Sequence, residues 1–206
     1  MDDASVIDEM KIWRLISAWG YARDNSEWDM LAHCFCQDAT VNISWINAPA
    51  SEFVARSKEM AAKRKPGTHL KHVFASPLVR IEVKRAFSIC HVNLESRDEI
   101  DGHAVDLRVW FRFFDLLRKE EDGKWRIHNR TAVYEKDRID PVDPRGVPAA
   151  LFANMDLSGF VPATRYLSWY VARMGFKPRT DMVTVYSQEE QTLKRRSDVW
   201  LRGEAV

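Results

Sequence analysis

Cysteine is scarce in this chain: Cys34, Cys36 and Cys90 are the three in 206 residues. An odd, small number does not support a disulfide framework. No run approaches the ~18 consecutive apolar residues that suggest a membrane-spanning helix. The opening Met1-Asp2-Asp3-Ala4-Ser5 is acidic and lacks the apolar stretch of a signal peptide. Net charge is also nearly absent, with 31 Lys and Arg against 30 Asp and Glu. That balance argues against nucleic acid or an anionic membrane as the main partner. There is no internal repeat, no low-complexity stretch and no HExxH pattern. The expectation is a cytoplasmic protein that needs no cofactor.

What is present is apolar mass. Hydrophobic residues make up 46% of the chain, with 8 Trp and 10 Phe, enough for a sizeable core in one domain with a decorated end. Ile7, Met10, Trp13 or Arg14, Ile16 and Trp19-Gly20 recur at helical intervals and predict an amphipathic helix over residues 5 to 23. Tyr21-Ala22-Arg23-Asp24-Asn25 reads as a turn. Ser26-Glu27-Trp28-Asp29 reads as a capping box with Asp in place of Glu, opening a second helix to about Cys36. Residues 40 to 46 are β-rich, and a third helix over 52 to 65 stops at Pro66-Gly67.

From His69 the pattern changes to four β-prone runs, 72–84 (interrupted at Pro77), 87–99, 104–118 and 125–136. Arg85-Ala86, Asp101-Gly102 and Glu121-Asp122-Gly123 separate them, each short enough for an antiparallel hairpin. Three helices followed by a long meander predict an α+β fold in which a strongly curved antiparallel sheet wraps the N-terminal helices. A Pro-rich break, Asp140-Pro141-Val142-Asp143-Pro144-Arg145-Gly146, opens a tail with helical period over 161–174. The tail ends in a helix with Ser187 at its N-cap, Glu190 as capping partner and Gly203 at its end. So short a tail makes a poor core alone. The division expected is a domain over 1–138 and an extension over 139–206 that packs on it or on a neighbouring subunit.

The chemistry rests on a few ionisable residues. Asp24 at a helix end and His72 at a strand start can face each other across a cone-shaped pocket, and a carboxylate–imidazole pair in an apolar cavity is acid–base machinery. Asp24 also suits a turn, and His72 also suits a core. His69-x-x-His72 is open to metal ligation, but no third ligand is evident, and Cys34-Phe35-Cys36 in a helix would diverge; no metal site is expected. Tyr21 is either a pocket hydroxyl or an amphipathic core residue. His91, Asn93 and Glu95 share one face of their strand, and Cys90, Val92 and Leu94 share the other; either can be concave. Arg108, Arg112 and Arg130 fall in apolar strands, where each needs a carboxylate such as Asp106 or Glu95, or a ligand oxyanion. The catalytic candidates are His72, Asp24, Tyr21 and Arg130; the substrate-binding candidates are His69, His91, Glu95, Trp45 and Trp110.

Tyr21…Asp24…Trp28-Asp29…Phe35…Asp38-Ala39, Gly67-Thr68-His69…His72, the meander and Asp122-Gly123-Lys124-Trp125-Arg126-Ile127…Arg130 resemble the SnoaL-like branch of the NTF2-like superfamily over roughly residues 5 to 136. The tail resembles the extension of some longer members. The resemblance implies an NTF2-like cone with Asp24, His72, Tyr21 and Arg130 at the positions of pocket residues in scytalone and bile-acid dehydratases. A second pocket histidine of scytalone dehydratase falls near Glu95-Ser96, where this chain departs from the pattern. Lignin-derived diarylpropane lyases, which release formaldehyde without a cofactor, are a further likeness. The implied function is a cofactor-independent lyase, of dehydratase or formaldehyde-releasing type, on a hydroxylated hydrophobic, aromatic small molecule. An isomerase or polyketide-type cyclase, a non-catalytic binder and a ring-hydroxylating dioxygenase β subunit are the rivals. Family habit implies a homodimer or homotrimer.

Overall fold

The computed structural model describes residues 3–145, 152–153 and 155–204. Gly146 of the Pro-rich break and the first two residues lie outside the described residues. The chain forms α1 (Asp3–Asn25), α2 (Trp28–His33), β1 (Phe35–Ile43), β2 (Ile46–Pro49) and α3 (Ala50–Ala62). The meander follows as β3 (His69–Phe74), β4 (Leu78–Glu82), β5 (Arg85–Ile100), β6 (His103–Lys119) and β7 (Trp125–Pro141). A short 3-10 turn (Pro162–Thr164), α4 (Arg165–Arg173), β8 (Val183–Thr184) and α5 (Gln188–Leu201) complete it. Among the described residues the strands make one eight-stranded mixed sheet, ordered β2-β1-β7-β6-β5-β3, with β4 also on β5 and β8 on β7.

Several local rules explain this layout. Ile100 pairs with His103 across Asp101-Gly102, both with positive φ (50° and 82°), so a two-residue turn matched to strand twist joins β5 and β6. Register shifts at Trp110/Phe111 and Leu116/Leu117 bend β6 against β7 and help curl the sheet. Pro77 divides the first β-prone run into β3 and β4. The turn before β5 is at Val83-Lys84, since Glu82 pairs with Arg85; Arg85-Ala86 belongs to the strand. Residues 139–141, expected to open the extension, continue β7, so the division at 138/139 falls inside a strand.

Four N-terminal expectations are corrected. The buried side of α1 is Ile12, Ile16, Trp19, Ala22 and Arg23, whereas Ile7, Met10 and Trp13 are exposed. The helix also continues through the expected turn to Asn25. Ser26 has a φ of 64° and does not cap α2, whose N-cap Glu27 makes no side-chain cap bond. Cys34 follows the end of α2 and Cys36 lies in β1, so the two cysteines do not share a helix.

Gly20 sets how closely α1 approaches β3. A Cβ there would lie 2.3 Å from Phe74 Cε2, and the Phe74 ring is confined by Trp19, His72 and Phe113 at centroid distances of 6.2, 6.3 and 6.2 Å. Gly20→Ala is therefore expected to lower stability by about 1–3 kcal/mol through overpacking, despite Ala's better helix propensity. Denaturant unfolding checks this; an unchanged midpoint would show that the contact relaxes freely.

The extension packs back on the same chain. In α5, Ser187 Oγ accepts from the Glu190 backbone N–H at 3.1 Å, and Glu190 Oε2 accepts from the Tyr186 N–H at 2.7 Å. Trp200 of α5 donates from Nε1 to Ala86 O and stacks on His128 at 4.7 Å, covering the outer side of the sheet. Arg179 donates to Ile43 O and Ile46 O, tying the extension to the β1–β2 turn. No helix among the described residues is long and apolar enough to cross a membrane.

Candidate active site

The inner side of the curled sheet, closed by α1, α3 and α4, encloses a cavity of about 350 Å³. Trp19, Phe53, Leu94, Leu107, Phe111 and Phe113 provide apolar wall; Ser44, Trp45, His69, His72, Ser96, Tyr134 and Tyr170 also line it. A concave, mostly apolar space with a few polar groups is the usual form of a small-molecule site.

The structure brings Asp24 and His72 together. His72 Nδ1 lies 2.6 Å from Asp24 Oδ1, and the His72 backbone N–H donates to Asp24 Oδ2 at 2.7 Å. Both side chains are only 10% exposed. The pairing needs Asp24 in the last turn of α1 and His72 in β3, where His72 lies opposite Leu94 of β5. An ionised Asp24 accepts at Nδ1, which selects the tautomer that leaves Nε2 as the ring's acceptor. Trp19 meets the imidazole edge-on at 5.4 Å. Burial pulls the His72 pKa below its ordinary 6.5, outweighing the upward pull of Asp24. The ring is therefore a neutral base at pH 7.

Arg130 differs from expectation. It is fully buried, bidentate to the equally buried Asp115 at 2.8 and 2.7 Å, and lies 4.2 Å from the Trp19 ring and 4.1 Å from that of Phe113. It supports the cavity's aromatic wall without lining the cavity, and its carboxylate is neither Asp106 nor Glu95. Asp106 pairs instead with Arg97, Glu95 with Arg108 and Glu135 with Arg112.

Tyr21 is 60% exposed, because the helix phase that buries Trp19 and Arg23 turns it outward. On β5 the concave residues are Cys90, Val92 and Leu94; His91 is exposed, and Glu95 meets Arg108 at 3.9 Å outside the cavity. Trp110 shares the outer side with Lys136, 4.9 Å from its ring, since Val109 and Phe111 take the inner side. His69 and Trp45 do line the cavity, with Trp45 stacked on Phe53 at 5.6 Å.

Sequence reasoning missed Arg23, Tyr134 and Tyr170. Arg23 follows Trp19 by one helical turn, so the spacing that places Trp19 in the wall places Arg23 there too. The Tyr134 hydroxyl accepts from the Ser44 backbone N–H at 2.8 Å, and burial raises its pKa, keeping it protonated. Tyr170 comes from α4 of the extension and donates to Asp98; α4 itself is held by Asp137, which accepts from the Leu167 N–H at 2.8 Å. The extension thus completes the cavity wall. Among the described residues, the one cluster with ligand atoms close enough for a metal ion is Cys36, Asp38 and His128, away from this cavity.

Residues 4–131 match the model of the SnoaL-like domain. The chain belongs to the SnoaL-like family. A PEP2-like protein of Fusarium vanettenii is 28% identical over 213 residues, spanning 99% of this chain and 90% of the relative. A proposed scytalone dehydratase from Novosphingobium aromaticivorans superposes with a TM-score of 0.57 at 19% identity, over 72% of this chain and 99% of that one. A proposed dehydratase of the NTF2-like family from Streptomyces avermitilis gives 0.51 at 13% identity, over 61% and 95%. The chain thus has the α+β NTF2-like fold.

Proposed function

We propose that this SnoaL-like protein is a cofactor-independent lyase acting on a small, hydroxylated, hydrophobic molecule. The observation that carries the reading is the two-point grip of Asp24 on His72, at ring and backbone, in the cavity wall. The dehydratase names given to two of the similar structures support it. His72 Nε2 takes a proton from the carbon next to a C–O bond. That C–H pair becomes the new C=C bond, and the hydroxyl leaves as water after receiving a proton. In the formaldehyde-releasing variant His72 takes the proton of a hydroxymethyl group. Its C–C bond breaks, and the freed pair forms the C=C bond while the neighbouring hydroxyl leaves. Tyr134, a protonated phenol in the wall, is placed to donate to the departing oxygen. Tyr21 and Arg130, outside the cavity, have no part in this step.

The pH dependence tests the base. Only neutral His72 removes a proton, so kcat/KM scales with the unprotonated fraction. Because burial lowers its pKa, the acid limb of kcat/KM is expected below pH 6.5, with a plateau through neutrality. A limb above pH 7 would show that the imidazolium is stabilised in the fold and contradict this assignment.

A further inference from the structure

The cavity wall holds a buried cation that no carboxylate among the described residues pairs with directly. Arg23 is 5% exposed, lines the cavity, and its Nη1 is buried without a hydrogen-bond partner. Among the described residues it forms no ion pair. Burying an unpaired guanidinium is costly, and proteins seldom retain one without a use. The nearby carboxylates make their hydrogen bonds elsewhere, Asp24 to neutral His72 and Asp98 to the Tyr170 hydroxyl, while Glu99 is exposed; Asp24 attracts the guanidinium without forming an ion pair with it.

The remaining charged groups add positive potential. Arg64, just past α3, lines the same cavity; burial first, then Arg64 as a like charge, outweigh the attraction of Asp24 and bring the Arg23 pKa down to about 10, still charged at neutral pH. Lys63 lies over the Phe176 ring at 5.5 Å, Lys65 lines the cavity, and Arg173 is neutralised by Asp101 at 2.9 Å. Two guanidiniums lining one largely apolar space make a site for a planar anion.

We propose that Arg23, assisted by Arg64, is the anion-binding element of the cavity, and that its substrates carry a carboxylate on an apolar skeleton. Arg23 directly precedes Asp24 on α1, so binding the carboxylate at Arg23 fixes the rest of the molecule relative to His72. This deepens the lyase reading and rests on it only for the reaction that follows binding.

The test uses the full chain and a pair of probes alike in shape, trans-cinnamate and cinnamamide, with affinities measured by calorimetry. The wild type is expected to bind the carboxylate about 10- to 100-fold tighter than the amide, the range for a hydrogen bond to a charged group. Arg23→Met should abolish that preference and melt at or above the wild-type temperature, because it replaces an unpaired buried charge with an apolar chain of similar length. Arg23→Lys and Arg64→Gln should keep part of the preference, and they carry the test if the Met variant does not fold. Equal binding of the two probes by the wild type, failure of cinnamate to bind it, or a preference unchanged in Arg23→Met would overturn the proposal. Turnover does not enter this test. An Arg23-dependent preference without any reaction would remove the lyase reading and leave this one standing. His72-dependent turnover with no preference for anions would do the reverse.

Discussion

Asp24→Asn is expected to lower kcat/KM by about 10²- to 10⁴-fold, the range contributed by a positioned general base. The carboxylate accepts from the ring at Nδ1 and from the backbone N–H of the same residue. The two donors meet separate carboxylate oxygens, and Asn replaces one of these by an NH2, so one contact is lost, and an NH2 facing Nδ1 favours the tautomer with Nε2 protonated. The base would then offer a proton where it should accept one. The residual activity carries a second signature. Asp24 raises the His72 pKa against the effect of burial, so its removal shifts the acid limb of the pH profile further down. A loss of rate with no shift of the limb would make Asp24 a helix-end residue with no electrostatic hold on His72.

The largest expected effect on stability lies one layer behind the cavity. Asp115 and Arg130 are both 0% exposed and bidentate. Asp115→Asn leaves the guanidinium charged and uncompensated between Trp19 and Phe113, and is expected to cost about 3–5 kcal/mol. Arg130→Met should cost a similar amount, by stranding the carboxylate. The double variant Asp115→Asn/Arg130→Met should recover most of the loss, since a neutral pair needs no counterion. Urea unfolding of the four proteins closes this cycle. Additive losses in the double variant would show that the two residues do not act as a pair.

The sequence revealed the fold more fully than the site, for physical reasons visible at single residues. The cap Ser187–Glu190, the Asp101-Gly102 turn and the alternation of the long strands are local signals, read within a few positions, and the structure has all three. The Asp24–His72 contact joins residues 48 apart, and the family resemblance suggested it where periodicity could not. Arg130 looked like a pocket group because a buried arginine needs an anion. Its anion, Asp115, lies opposite it on the neighbouring strand, a pairing set by the register of β6 on β7. Which side of β5 is concave depends on sheet curvature, and alternation alone is symmetric. Arg23 was legible in principle, one helical turn beyond Trp19, but the helix was expected to stop at 23 and the five residues from Tyr21 to Asn25, Arg23 among them, were read as a turn, whereas α1 runs on to Asn25.

Product mass tests the central claim most directly. The purified chain, wild type beside His72→Ala, would be incubated with hydroxylated aromatic and alicyclic compounds, each as acid and as amide, and followed by mass spectrometry. The account predicts products lighter by water, or by formaldehyde and water together, formed by the wild type and absent with His72→Ala. Conversion at equal rates by both proteins, or a His72-dependent product of unchanged mass as an isomerase or cyclase would give, would contradict it.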